Sequence, residues 1–265
     1  MKYIHFRFEL WYNELIQQMK WPDGYLYHDA EQSGYSHFTN TISMNCEGAI
    51  MDLRSTGGEG VDSWQEVTLV YNAALRQIET KMEILNDEFQ HVHQYNPIEH
   101  LKARIKTPES IVKKLKRHGY ESTIDNMVKH VNDIAGIRVI CSFTSDIFGI
   151  VKMIREQKDI RVIAEKDYIT YPKASGYKSY HMIVTVPVYL SDRIVDTKVE
   201  IQIRTVAMDF WASLEHKIHY KFEGDAPEHI RNELVECASL VADLDARMLS
   251  LNEEILALST EGKRA

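Results

Sequence analysis

The chain has 265 residues, 44% hydrophobic and 26% charged, with a formal net charge of −8. That length suits one large domain, or one domain plus an appendage, and the composition excludes collagen-like, low-complexity and wholly disordered classes. The acidic balance excludes a generic nucleic-acid binder, so any affinity for anions has to come from a local cluster.

Residues 1–60 are dense in aromatics without a period of 2 or 3.6, and they end in the linker-like Ser55-Thr56-Gly57-Gly58-Glu59-Gly60. They read as an N-terminal extension, either poorly ordered or a small accessory module. Order begins with Ser63-Trp64-Gln65-Glu66, a capping box, followed by apolar residues from Trp64 to Phe89 at spacings of 3 and 4. That predicts a long helix to about His91. A second helix is predicted from Thr107-Pro108, with Thr as N-cap, to Gly119. Strands are predicted near 137–143, 160–169, 179–188 and 195–204, and helices over 145–157 and 206–220. A final helix carries Ile230, Leu234, Cys237, Val241, Leu244, Met248, Leu251, Ile255 and Leu258 at alternating spacings of 4 and 3. Such a stripe suits either packing on the chain's own sheet or an oligomer contact. The expected fold class is α/β (α+β), a mixed sheet flanked by helices.

Four segments carry candidate chemistry. Between residues 102 and 117, Lys102, Arg104, Lys106, Lys113, Lys114, Lys116 and Arg117 face one acid, Glu109. Ser110, Lys114 and Arg117 share a helical face near a helix N-terminus, which suits a polyphosphate, though on charge alone a solvated basic face reads equally well. Asp133-Ile134-Ala135-Gly136-Ile137-Arg138 puts a carboxylate at the mouth of a strand and an arginine along it. Asp is a hard ligand for Mg²⁺ and Arg forks onto phosphate, yet taken alone this hexapeptide reads better as a turn Asp and a surface Arg. In the strand Val199 to Thr205, Glu200, Gln202 and Arg204 share the face opposite the apolar residues. Three polar side chains in a row suit an active-site face or a half-exposed edge strand. Lys173-Ala174-Ser175-Gly176-Tyr177-Lys178-Ser179-Tyr180-His181 combines a glycine hinge, cations and an aromatic for base stacking. There is no G-x-x-x-x-G-K-[ST] and no G-x-G-x-x-G, so P-loop and Rossmann readings fail.

In combination, R-x-K…S…K…R, D-I-A-G-x-R, K-x-S-G-Y-x-S-x-H, E-I-Q-I-R-T and F-W-A-x-x-E-H make residues 64–258 resemble the small alarmone synthetases. These are single-domain relatives of the RelA/SpoT enzymes with a nucleotidyltransferase-like fold. Asn96 to His100 and Ala207 to Ala212 resemble the RelP branch most. The resemblance implies transfer of pyrophosphate from ATP to the 3′-hydroxyl of GDP or GTP, giving AMP and ppGpp or pppGpp, with Mg²⁺ as cofactor. Carried over motif by motif, Arg104, Lys106, Ser110, Lys114, Arg117, Arg138 and Lys166 would hold ATP. Asp133 and Glu200 would be catalytic and hold the metal, Glu200 also as base. Lys173, Tyr177, Ser179, His181 and Gln202 would hold GDP or GTP. Glu215 and His216 complete the motif set. Two departures are visible: His100 and Lys102 stand where some members have Phe and Thr, and Asp209 stands where others have Asn.

The resemblance further implies a homotetramer, which the C-terminal heptads permit, over residues 61–265. It implies no hydrolase domain, since His28-Asp29 is an isolated dipeptide. With no run approaching ~18 apolar residues and no apolar leader, no membrane partner is expected. Three scattered cysteines, Cys46, Cys141 and Cys237, agree with a bacterial cytoplasmic location. RNA remains a candidate partner. The alternatives are a catalytically silent nucleotide- or RNA-binding regulator of the same fold, and another transferase of that fold, which single rather than paired acids disfavour.

Overall fold

A computed structural model of the chain describes residues 63–221 and 226–261. The extension expected at 1–60, its His28-Asp29 dipeptide and Asp225 of the expected last cap lie outside the described residues. The elements run α1 (Trp64–His93), β1 (Ile98–Ile105), α2 (Pro108–Arg117), α3 (Ile124–His130), β2 (Ala135–Cys141), α4 (Thr144–Glu156), β3 (Arg161–Asp167), β4 (Tyr180–Tyr189), β5 (Ile194–Thr205), α5 (Val206–Lys221) and α6 (Glu228–Glu261).

Local chemistry starts the helices where the sequence predicts. The Ser63 hydroxyl accepts from the Glu66 amide at the head of α1, and the Thr107 hydroxyl accepts from the Ser110 amide at the head of α2, each satisfying a donor that the helix leaves orphaned. Two elements were not expected from sequence. β1 replaces what reads as a connection into α2, and the seven-residue α3 is capped by Thr123, whose hydroxyl accepts from Asn126.

The five strands form one mixed sheet in the order β1-β2-β5-β4-β3. The β2–β5 pair is parallel and the other pairs are antiparallel. β5 is therefore central, which settles the choice left open for Glu200, Gln202 and Arg204: they do not lie on an edge strand. Period-2 alternation sorts the strands into two faces. Ile137, Val139, Met182, Val184, Val199, Ile201 and Ile203 join the buried stripe of α1 and Ile147, Ile150 and Ile154 of α4 in one continuous core. That core frees the opposite face for polar side chains.

The last helix divides its apolar residues. Ala238 is buried, Leu234 and Val241 pack beside it, and Leu244, Met248 and Leu251 are about half exposed. Among the described residues, the heptad stripe is thus only partly covered.

Candidate active site

Strand register assembles the polar face. Lys102 lies opposite Arg138, and Arg104 opposite Gly136. Gly136 lies beside Glu200 and Arg138 beside Gln202. Gln202 lies opposite His181, and His181 opposite Lys166. Residues paired across neighbouring strands share a face, so β1 to β3 present a continuous row of charged and polar groups.

One half of this face is organised by charge. Asp133 sits just before β2, and its two oxygens accept from Lys106 at 2.9 Å and Lys114 at 2.8 Å. Lys106 leaves the end of β1 and is fixed there by its amide, which donates to the Ile134 carbonyl at 2.7 Å. Lys114 comes from the second turn of α2, and Ser110 and Arg117 share its helical face. Desolvation pushes the Asp133 carboxyl up, but the hydrogen bonds from Lys106 and Lys114 outweigh it and hold the group below its ordinary value. Arg104 is exposed on β1 and close enough for its charge to disfavour ionisation of Arg138. Arg117 and Lys166 are exposed.

The other half is organised by hydrogen bonds. Arg204 is only 4% exposed, and a buried guanidinium requires partners for its five donors. It donates to Asp209 at 3.0 Å, Gln202 at 2.8 Å, the Tyr177 hydroxyl at 2.5 Å and the Ser179 hydroxyl at 3.3 Å. Tyr177 lies 2.8 Å from His181 Nε2, and His181 Nδ1 faces Glu200 at 3.5 Å. Arg204, the Tyr177 hydroxyl, the His181 ring and Glu200 thus form one connected line. Gln202 donates to the other Glu200 oxygen at 2.9 Å. Desolvation raises the Glu200 carboxyl, but His181 and then Gln202 bring it below its ordinary value, against the repulsion of Asp133. Glu200 is therefore ionised at neutral pH, and both acids share one electrostatic environment.

Lys173 reaches over this half. Its ammonium lies 4.6 Å from the Tyr177 ring centroid and 4.8 Å from that of Tyr168. Tyr168 meets Tyr177 and His181 edge-on, at 6.0 Å and 5.3 Å. The result is a cationic aromatic shelf beside Glu200. Ser179 is not on that shelf: it is fully buried, donates to the Ile203 carbonyl at 3.3 Å and supports Arg204 from below. Arg138 joins the two halves through Asp209, at 3.4 Å.

A sequence model of the family described as "Region found in RelA / SpoT proteins" matches residues 103–225. GTP pyrophosphokinase YwaC of Bacillus subtilis (strain 168) is 48% identical over 195 residues, 74% of this chain and 93% of the relative. The crystal structure of small alarmone synthetase 2 from Bacillus subtilis superposes with a TM-score of 0.66 at 46% identity, over 72% of this chain and 98% of that one. The chain belongs to the small alarmone synthetases. A further solved structure, small alarmone synthetase 1 from Bacillus subtilis bound to its product pppGpp, gives a TM-score of 0.67 at 32% identity, over 72% of this chain and 97% of that one.

Within this small alarmone synthetase, several contributors escaped the sequence reading. Tyr168 completes the aromatic shelf but belongs to none of the motifs. Asp209 stood out only as a departure from the family, and its role as shared counter-ion to Arg138 and Arg204 needed the fold. Asp245 of α6, which accepts from Thr205 at 2.7 Å beside the cluster, carries no sequence signal at all.

Proposed function

We propose that this chain is a (p)ppGpp synthetase, transferring pyrophosphate from ATP to the 3′-hydroxyl of GDP or GTP and releasing AMP. The observation that carries this reading is the meeting of an Asp133–Lys106–Lys114 cluster with Glu200 beside a cationic aromatic shelf. The names of the relatives agree with it. Lys106 and Lys114, with Arg104, Ser110, Arg117, Arg138 and Lys166 around them, would bind the ATP. Tyr177, Lys173, His181 and Gln202 would bind the acceptor nucleotide, with Ser179 holding Arg204 in place.

The step forms a bond from the acceptor 3′-oxygen to the β-phosphorus of ATP and breaks the bond from that phosphorus to the oxygen bridging to the α-phosphorus. AMP leaves with that oxygen. The hydroxyl proton goes to Glu200, which His181 and Gln202 hold in its ionised form. Transfer of this kind depends mainly on positioning and charge neutralisation, and Lys106 and Lys114 supply positive charge where the phosphates would lie.

Two hard carboxylates that repel each other beside a phosphate site fit Mg²⁺, which usually takes one or two carboxylates plus substrate phosphates. Asp133 and Glu200 would hold it. When bound, Mg²⁺ would supply charge neutralisation and acidify the hydroxyl, which a carboxylate of ordinary pKa about 4.3 cannot deprotonate alone. The exposed Leu244, Met248 and Leu251 of α6 support assembly through terminal helices into a homotetramer. Light scattering at the mass of one chain would overturn that assembly.

The deciding assay mixes pure protein with Mg²⁺, β-labelled ATP and GDP. The expected result is a labelled tetraphosphate with stoichiometric AMP, absent in Glu200→Gln. No transfer to GDP, GTP or GMP would overturn the reading. Synthesis without hydrolysis is expected, so added ppGpp should persist in the presence of Mn²⁺.

A further inference from the structure

The loop that carries Lys173 and Tyr177 rests on α6 at one point. A Cβ placed on Gly176 would lie 2.4 Å from the Ala238 Cβ and 3.9 Å from the Cα atoms of Ala238 and Val235. Gly176 also has φ of 84°, a conformation open to glycine. Loop backbone and helix therefore touch with no room for a larger side chain on either. Tyr177 packs against the small cluster of Trp211, Ala212 and Ala238. Trp211 donates from its indole nitrogen to the Leu234 carbonyl at 3.0 Å, fixing α5 to α6. Seven residues beyond Ala238, the buried Asp245 accepts from Thr205, the neighbour of Arg204. Positions seven apart lie on one helical face, so one face of α6 supports both the loop and the strand end that hold Tyr177.

We propose that Ala238 is a positioning residue for the acceptor site, the seat that sets the height of the Tyr177 ring and the Lys173 ammonium. The proposal rests on reading the Tyr177 loop as the acceptor site. The loop moves as a unit, because the Gly176 amide donates to the Lys173 carbonyl at 2.8 Å and the Lys173 amide to the Tyr177 carbonyl at 3.2 Å. A larger side chain at 238 has backbone on its far side and cannot swing away, so the loop must lift. Lys106, Lys114 and Asp133 are held by β1, α2 and the entry to β2, so the donor half should not feel the change.

The test uses the full chain with Ala238→Ser, Ala238→Val and Ala238→Leu. It measures kcat, KM for GDP and KM for ATP, and the ATP dissociation constant by calorimetry. A displacement of the order of 1 Å can cost about a hundredfold. The expected result is a GDP KM raised about tenfold or more in Ala238→Val, with ATP affinity within about twofold of wild type and Ala238→Ser close to wild type. If Ala238→Leu does not fold, the Ser-to-Val pair decides alone. An unchanged GDP KM in Ala238→Val overturns the proposal, and so does a parallel loss of ATP and GDP affinity, which marks a merely structural residue. A wild type that transfers nothing to GDP overturns the reading of the site itself, and the seat with it.

Discussion

On the α2 side of the polar face, two lysines from separate segments meet one carboxylate, and every tie is an ion pair between partly exposed groups. On the Tyr177 side, a buried arginine is held by four side chains, and each of those has a further partner, a side chain for Asp209, Gln202 and Tyr177 and the Ile203 carbonyl for Ser179. The first arrangement is built by charge and can trade partners when a phosphate arrives. The second is built by geometry and cannot lose one member without stranding the rest. A polyphosphate tolerates the first, since charge is satisfied from many directions. A purine ring and a hydroxyl that must meet one phosphorus need the second.

The largest expected effect falls where the halves meet. Glu200→Gln keeps the shape and removes the proposed proton acceptor, so kcat should fall about a thousandfold, inside the range for general acid–base groups. GDP and ATP affinities should change little. Quench-flow measurement of AMP formation checks it. A loss confined to KM would make Glu200 a binding group and blur the division.

Tyr177 tests the geometric half. Tyr177→Ala removes the shelf, and base stacking of roughly 1–3 kcal/mol corresponds to about a 5- to 150-fold rise in GDP KM. Tyr177→Phe keeps the ring but removes the oxygen that Arg204 and His181 share, so it should lower kcat as well. Neither effect should respond to salt. A salt-sensitive Tyr177→Ala defect would show that the Tyr177 half also works by charge.

Lys114→Ala tests the other half. A hydrogen bond to a charged group contributes about 1.5–3 kcal/mol, and the 27% exposure of Lys114 points to the lower end, about a tenfold loss of ATP affinity. Here salt should matter: the defect should shrink as ionic strength rises, because screening weakens the wild-type contact too. Calorimetric titration with ATP at low and high salt separates the cases.

The two halves also differ in how far the sequence discloses them. The cations of 102–117 lie within one short segment, and Glu200, Gln202 and Arg204 announce a polar face by alternation alone. Strand β1 stayed hidden because a register shift between Ile98 and His100 breaks its alternation, leaving Glu99 and His100 as consecutive polar residues. Helix α3 is too short to show a period. Ala238, Asp245 and Tyr168 reach the Tyr177 half only through tertiary packing, and an alanine in a helix gives no sign that a loop rests on it. Ser179 reads as a ligand contact from its motif, and only burial reveals it as a support.

The smallest expected effect is on the acid stability of the ligand-free protein, and it has opposite signs at Asp133 and at the α6 anchor. Burial raises the Asp133 carboxyl, but Lys106 and Lys114 bring it below its ordinary value. The folded chain then binds that proton more weakly than the unfolded chain. Its stabilisation is present above the unfolded value, about 3.9, and is lost as pH falls through the folded value. Asp245 is raised by burial, an effect that Thr205, Lys178 and Thr144 only partly offset. The folded chain binds that proton more tightly, so stability is fully present below the unfolded value and declines as pH rises through the folded value. Thermal unfolding across the acid range should therefore show the advantage of wild type over Asp133→Asn closing below about pH 4. Over the same range Asp245→Asn, which mimics the protonated group, should gain on wild type as pH rises. Parallel curves for wild type and Asp133→Asn would mean that the two lysines do not hold the carboxylate in solution, and the charge-built half would lose its anchor.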